Sequence, residues 1–521
     1  MPLGVAPRYN LVLTPIDSRR TRRAGSASMS GLIELLENRL LLSATPTAHH
    51  SAAASHRAAR VAMIPTPALS VGAGSSVVTQ TSTTPIPGDA NLDGRVDATD
   101  FAILSANYGM TTGATWAQGD FDGDGAVNFT DFMILTQHYL QGVGGINPVS
   151  AQAPAGTVWQ SPLVITKGGT YTGNWQSLSP NTPAVTIETS QPVTILNSNI
   201  QSRGTLIESS TPHANITVEG TSGWGLNPNI YGTSPGRFLD ASNFNNIDVE
   251  NNSMAGTSGM ELGYYAGNGT ASQTITVEYN NALNIDGRYS NGAGGFLTGP
   301  NDNDYVQFVQ LNACNNLSGV QIAWNQVVNQ PGLSRVEDNI SIYESSGTSA
   351  SPILIHDNNI NGAFPASPAT DTTYSGGGIM LSDGATGSAA TDPGYVQAYN
   401  NIVTATTNYG IAISSGHDDL ITNNIVIASG LLPNGTKIAS QNVGIYIMNL
   451  ANDSLFKNNQ SYGNTIGWMG PSGRNDAYYP DASGPTNDDT HLAGAITLAI
   501  EASYFSSWAQ RVSQTSFSIG A

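Results

Sequence analysis

From about Thr157 onward, apolar and polar positions alternate with period two, and the alternation breaks again and again at asparagine. Ile247-Asp-Val-Glu runs into Asn251-Asn252, Ile275-Thr-Val-Glu-Tyr into Asn280-Asn281, and Ile353-Leu-Ile-His-Asp into Asn358-Asn359. The same happens at Asn400-Asn401, Asn423-Asn424 and Asn458-Asn459. A second class of short strand is interleaved: Gly259-Met-Glu-Leu, Gly319-Val-Gln-Ile, Asn339-Ile-Ser-Ile, Gly378-Ile-Met-Leu, Gly410-Ile-Ala-Ile and Gly444-Ile-Tyr-Ile. Period-two alternation is the mark of strands with one buried face. Its recurrence at roughly 20–45 residues, with no helical pattern between, predicts a solenoid of parallel β-coils. Coils stacked about 4.8 Å apart would let an asparagine at one corner pass its amide hydrogen bonds up the stack.

The rest of the chain reads differently. Two nine- or ten-residue stretches have helical periodicity: one opens at Asp100 and places Phe101, Leu104 and Tyr108 on one face, and the other opens at Asp131 and places Phe132, Leu135 and Tyr139 on one face. Near the end, Ile496, Ile500, Tyr504, Phe505, Trp508 and Val512 also fall at helical spacing. This predicts a helix that caps the last coil, with the polar stretch from Arg474 to Gly484 lying over the side of the stack. Residues 45–87 are rich in Ala, Ser, Thr and Pro and predict a disordered linker, and 142–156 a second, shorter one. The resulting organisation is 1–44 leader, 45–87 linker, 88–141 loop–helix module, 142–156 linker, 157–475 β-coils, and 476–521 C-terminal loop and helix.

Each of the first two helices follows an acidic loop. Asp89, Asn91, Asp93, Asp97 and Asp100 occupy positions 1, 3, 5, 9 and 12 of the first; Asp120, Asp122, Asp124, Asn128 and Asp131 occupy them in the second. Gly94 and Gly125 stand at position 6, and the backbone carbonyls of Arg95 and Ala126 at position 7. Twelve residues in this order wrap a hard divalent cation, predicting two Ca2+ sites. Four carboxylates crowd each loop, with Arg95 the one counter-charge. The segment before Asp89, with Pro85 and Pro87, argues against an entering helix.

Two loop–helix units without entering helices resemble a type I dockerin over 88–141. That resemblance implies calcium-dependent folding and a cohesin-like partner on an extracellular assembly, with loop positions 10 and 11 (Ala98-Thr99 and Phe129-Thr130) helping to choose it. The coils resemble the right-handed parallel β-helix of the pectate lyase superfamily. This makes the expected fold mainly β: a right-handed parallel β-helix solenoid with a small α-helical calcium-binding module and a C-terminal capping helix. Leu-Glu-Asn38-Arg39-Leu40-Leu41-Leu42-Ser43 resembles the leader of exported planctomycete proteins, which implies an extracellular or cell-surface bacterial protein.

Charge narrows the partners. With 18 Lys and Arg against 37 Asp and Glu, the formal net charge is −19, which points away from nucleic acid. No segment has the length and apolarity of a transmembrane span. The single cysteine, Cys314, leaves no intramolecular disulfide. Along the coils, carboxylates and rings recur beside one another: Glu261 and Tyr264, Gln321 and Trp324, Tyr343 and Glu344, then Asp383, His417, Asp418 and Asp419. Rings stack on sugar faces and acids bind hydroxyls, so this column is the expected polysaccharide site. Glu344 and Asp383, on neighbouring coils, are the candidate acid and base of glycoside cleavage; His417, oriented by Asp418 or Asp419, is a candidate general base. The alternative is a non-catalytic β-helix adhesin or structural surface protein. The full set of polygalacturonase motifs is absent, as is the arginine base of the pectate lyases.

Overall fold

A computed structural model describes residues 85–521, except 140, 143, 144, 374 and 485–487. The expected leader and nearly all of the first linker lie outside the described residues. Among those described, strands form three long sheets of 11, 10 and 12 strands, parallel throughout except for the last pairing of the third, Thr465–Gly470 with Gly473–Arg474. The first begins at Leu163–Ile165, the second at Gly169–Tyr171 and the third at Asn174–Ser177. Successive strands visit the three sheets in turn, so the second sheet contributes one strand to each of ten coils. The architecture is mainly β, a stack of parallel coils consistent with a parallel β-helix, with a small helical module and a C-terminal helix.

Register aligns like with like. In the second sheet Ile195, Val218, Val249, Val277, Ile322, Ile355, Ala398 and Ile421 lie directly over one another, all fully buried. Apolar columns of this kind fill the interior between the sheets.

The corner from the second sheet to the third is only about two residues wide, and it carries the amide column. Asn252, Asn280, Asn325, Asn358, Asn401, Asn424 and Asn464 stack there, all buried. The Oδ1 of Asn358 accepts from both the backbone N–H (3.1 Å) and the Nδ2 (2.9 Å) of Asn325. Its own Nδ2 donates to Ile322 O (2.8 Å) and to Asn401 Oδ1 (2.9 Å). From Asn280 upward each amide therefore uses two donors and accepts twice, which is close to its full capacity, while Asn252 at the foot accepts once, from Thr221 N. The column starts at Ser198 and Thr221, whose hydroxyl and backbone groups begin the chain of bonds, and ends where Asp489 Oδ1 accepts from Asn464 N and Nδ2.

The residue before each rung turns the corner in the left-handed region: Asn251, Tyr279, Trp324, Asp357, Asn400 and Asn423 have φ of 55–59°, and Gly220 and Gly463 hold the same place. The asparagine pairs thus resolve into different roles. In Asn251-Asn252, Asn400-Asn401 and Asn423-Asn424 the first residue turns and the second is the rung. In Asn280-Asn281 and Asn358-Asn359 the first is already the rung. Asn458-Asn459 belongs to another corner.

Two expectations about the C-terminus change places. The helix, α3 (Leu498–Val512), forms as expected, but it lies against the third sheet and the neighbouring corner across several coils. The polar stretch before it covers the last coil. Ala477–Tyr478 extends the first sheet, Thr490–His491 pairs with Thr465–Gly470, and Tyr479 donates to Asp489 (2.8 Å). Ile496 packs on Gly467, where a Cβ would come within 2.7 Å of its Cδ1. The physical reason is that a polar segment carrying Asp489 can satisfy the exposed ladder end, while α3, apolar on one face, needs an apolar floor. The third sheet supplies that floor through its strands Asn359–Ala363, Ile402–Thr406 and Ile425–Ala428, where Ile402 is buried in the same apolar cluster as Phe505, Trp508 and Val512.

The loop–helix module has helices α1 (Ala98–Asn107) and α2 (Phe129–Gln137). Asp97 and Asn128 are their N-caps, each in a capping box completed by Asp100 or Asp131. The segment expected as the second linker is packed: Ile146 and Val149 are buried, and Asn147 N donates to Ile519 O (2.9 Å). Cys314 is a fully buried core residue whose thiol burial pushes up to about 12.

A second, shorter ladder runs from the first sheet to the second. Asp419 Oδ1 accepts from Val396 N (2.9 Å), and Asn459 Oδ1 accepts from Asp419 N (3.0 Å). Asp419 thus fills an asparagine's place, and burial pushes its carboxyl up to about 8. The folded chain holds that proton more tightly than the unfolded one, whose carboxyl titrates near 3.8. Its contribution to stability is therefore full below pH ~4 and falls as pH rises towards about 8. Asp419→Asn is expected to flatten thermal stability across that window and to raise the melting temperature above it; a scan series from pH 4 to 9 checks this. Asn358→Ala leaves both donors of Asn325 without an acceptor. It is expected to cost about 3 kcal/mol, read from the urea midpoint.

Candidate functional site

In the loop–helix module, position 12 of each loop is buried and anchors the loop to its helix. Asp100 Oδ1 accepts from Ala90 N (2.8 Å) and its Oδ2 from Asp97 N (2.9 Å). Asp131 does the same with Phe121 N (2.7 Å) and Asn128 N (2.9 Å). Asp89 and Asp120, at position 1, accept from the glycine N–H at position 6 (2.9 and 3.0 Å). These bonds fold each loop inward. In the second loop one oxygen each from Asp120, Asp122 and Asp124 lies within 4.8 Å of the others, a spacing that suits a divalent ion. In the first loop Asn91 takes the middle place between Asp89 and Asp93, so an amide oxygen replaces the third carboxylate. The donors are all hard oxygens, so both sets fit calcium.

On the coils, topology singles out the first sheet. The connections into it and out of it are long, among them 284–306, 364–376, 384–395 and 448–459, whereas the second-to-third corner is tight. Variable loops therefore border the first sheet on both sides, which is where sites gather on such scaffolds. Gln321 and Trp324, expected in the same column as Glu261, instead lie on and just after a second-sheet strand, Gln321–Ala323.

The structure does bring Glu344 and Asp383 together. Tyr343 and Asp383 are register partners on adjacent coils, and Glu344 N donates to Asp383 O (2.8 Å). Glu344 sits in the left-handed region at φ 45°, unusual for glutamate. Its neighbour Gly384 leaves room for it: a Cβ there would approach Glu344 Cγ to 2.8 Å. Burial first, then the Asp383 charge, pushes Glu344 above the usual carboxylate range. Burial also raises Asp383, against the bonds it accepts from Ser414 Oγ (2.9 Å) and Gly384 N (2.9 Å).

Behind this pair lies a group the sequence did not reveal. Asp338, 6% exposed, contacts the Tyr409 hydroxyl, and burial pushes its carboxyl up to about 7. Tyr409 meets Tyr446 edge to face at 5.3 Å, with Met380 and Ala412 completing an apolar patch. Asp338, Gly377 and Tyr409 are stacked in register, yet 39 and then 32 residues separate them, so unequal loops hide the column.

His417 and Asp418 form a separate pair. His417 Nδ1 lies 2.8 Å from Asp418 Oδ2, and its ring meets Tyr395 at 5.0 Å. They sit at the far end of the connection that begins at Ser414, the residue bonded to Asp383. Asp418 is further held by Asn458 Nδ2 (2.9 Å).

A second acidic column, on the second sheet, was also missed as a group. Glu219, Glu250 and Glu278 are register neighbours, and burial, then Asp248 and Glu278, pushes Glu250 up to about 7. Its signal was a recurrent Val-Glu just before the corner.

Residues 87–141 match the Dockerin type I domain family. No curated protein matches the chain. The chain therefore joins a dockerin type I domain to a large domain of three parallel sheets consistent with a parallel β-helix. No helix among the described residues is long and apolar enough to cross a membrane.

Asp124→Ala removes the position-5 carboxylate of the second loop. Calcium titration calorimetry on the full chain is expected to give two sites for the natural protein and one for this variant.

Proposed function

We propose that this is a secreted or cell-surface, calcium-binding dockerin protein whose β-helix binds extracellular polysaccharide along the outer face of the first sheet and cleaves it there. The dockerin match supports calcium in both loops, held by Asp89, Asn91, Asp93, Asp97, Asp100 and the Arg95 carbonyl, and by Asp120, Asp122, Asp124, Asn128, Asp131 and the Ala126 carbonyl. It also supports a cohesin-like partner at residues 88–141. At the loop positions implicated in partner choice, Thr99, Phe129 and Thr130 are exposed, Phe129 by 41%. A large ring in that place suits an apolar contact.

One observation carries the catalytic half of the reading: Glu344 and Asp383 meet on adjacent coils, and each is pushed upward by burial. Two carboxyls so placed can divide the work of glycoside cleavage. Glu344, next to the Asp383 charge, keeps a proton for the leaving oxygen, while Asp383 serves as the base. His417 with Asp418, three residues beyond Ser414, extends the site as a sugar contact or second base. A specific feature favours the non-catalytic alternative. Asp383 Oδ1 already accepts two hydrogen bonds, one from the N–H of the next residue and one from Ser414 of the adjacent coil, the way a structural aspartate is used.

The test is an assay for reducing ends and unsaturated products across plant and algal polysaccharides. The cleaving reading expects turnover that falls about 100-fold or more in Glu344→Gln and in Asp383→Asn. Binding without turnover in the natural protein would establish the adhesin instead.

A further inference from the structure

The C-terminal segment touches two things at once. Towards the module, Phe505 stacks on Tyr139 with ring centres 5.1 Å apart, and Ser506 Oγ lies 2.6 Å from the Tyr139 hydroxyl. Towards the coils, Trp508 Nε1 donates to Asp357 O (2.6 Å), Arg511 pairs with Asp357 and lies 5.2 Å over the Trp324 ring, and Gly520 N donates to Tyr279 O (2.7 Å). Phe517 packs on Tyr279 and Trp324 at 4.6 and 5.0 Å. Tyr279, Trp324 and Asp357 are the corner residues that adopt left-handed φ without being asparagine or glycine. Tyr279 and Trp324 in particular are strained there. The segment that rests on them supplies the contacts that hold them.

The module's half of this contact is built from its metal loops. Phe101 and Phe132 directly follow the position-12 acids Asp100 and Asp131, and their rings meet at 6.2 Å. Both line a cavity of about 70 Å³ together with Leu135, Tyr139, Leu498 and Phe505. The seat for α3 and the two loops therefore share the first turns of α1 and α2. An ion that draws in Asp100 and Asp131 orders those turns. Without it, four crowded carboxylates per loop push them apart, and the aromatic seat loses its shape.

We infer that calcium occupancy of the two loops and seating of the C-terminal segment on the coil corner are coupled. The ion locks the module, α3 and the corner residues Tyr279, Trp324 and Asp357 into one rigid flank, and its removal releases residues 498–521. This rests on the calcium reading above. By linkage, whatever factor the ion adds to seating, seating adds to ion affinity.

The test uses the full chain. Hydrogen exchange of the amides in 498–521 is compared in calcium chloride and in chelator, with the first-sheet strand Tyr409–Ile413 as internal control. The expected result is exchange at least about tenfold faster in chelator for 498–521, with the control strand unchanged. In parallel, Phe505→Ala should weaken calcium affinity about fivefold or more by calorimetry. Ser506→Ala, which removes only the hydroxyl contact, should shift it in the same direction by less. Two normal calcium sites with equal exchange in both conditions would overturn the coupling alone. No calcium binding at all would overturn the coupling and the calcium reading together.

Discussion

A carboxamide sealed inside a protein has two donors and an acceptor that water can no longer serve, and leaving any of them unmet costs on the order of 1–3 kcal/mol each. In this chain seven such groups, from Asn252 to Asn464, meet the requirement by using one another and the carbonyls of the coil below. That demand fixes much else. It sets the register of second and third sheets, because a slip of one residue would point every amide at the wrong coil. It forces the preceding residue into the left-handed region so that the next side chain can turn inward. It also dictates the ends: the column begins at hydroxyls and closes on Asp489, carried by the polar segment that folds over the last coil.

The corner column then explains the C-terminus. Where nothing covers the turn, asparagine or glycine occupies it, as at Asn423 and Gly463. Where α3 and the tail run over it, three turn residues are Tyr279, Trp324 and Asp357, side chains able to pack or pair with what lies above, while Asn400 is met at its carbonyl by Arg511. The apolar outer face of the third sheet extends the same surface. The module reaches the coils through Tyr139 and through Thr136, which contacts Gln330. The docking module is thus part of the flank of the solenoid, and its exposed side is the one that presents Phe129 and Thr130.

Much of this was legible in the residues. Alternation interrupted by asparagine announced stacked strands and a ladder, and loop positions 1, 3, 5, 6, 9 and 12 announced the dockerin module. What escaped follows from one cause: unequal loops make coil length variable, so residues far apart in the chain become vertical neighbours without any fixed spacing. Asn325 and Asn464 are rungs although neither belongs to a repeated asparagine pair. Asp338 and Tyr409 meet across 71 residues. Gln321 looks like a member of the Glu261 column because Gly319-Val-Gln-Ile has the same local pattern, yet it sits on another sheet. The C-terminal helix was readable from its period, but its floor was not, because the third sheet is buried on both faces and so shows no alternation in Gln326-Val-Val.

The protein that emerges is a stack of three parallel sheets with long loops along one sheet, a partly buried carboxyl pair at the end of that sheet's strands, and a dockerin module fastened to the flank beside the third sheet. The two regions are separate: the dockerin module occupies the flank beside the third sheet, and the first sheet, where we propose that polysaccharide binds, lies elsewhere on the stack. The central claim, that two cation-filled loops are built into the solenoid flank, is open to direct view. Long-wavelength anomalous diffraction from crystals grown in calcium chloride should show two peaks, one inside each loop, with Phe505 stacked on Tyr139. Empty loops, or filled loops on a module standing away from the third sheet, would contradict it.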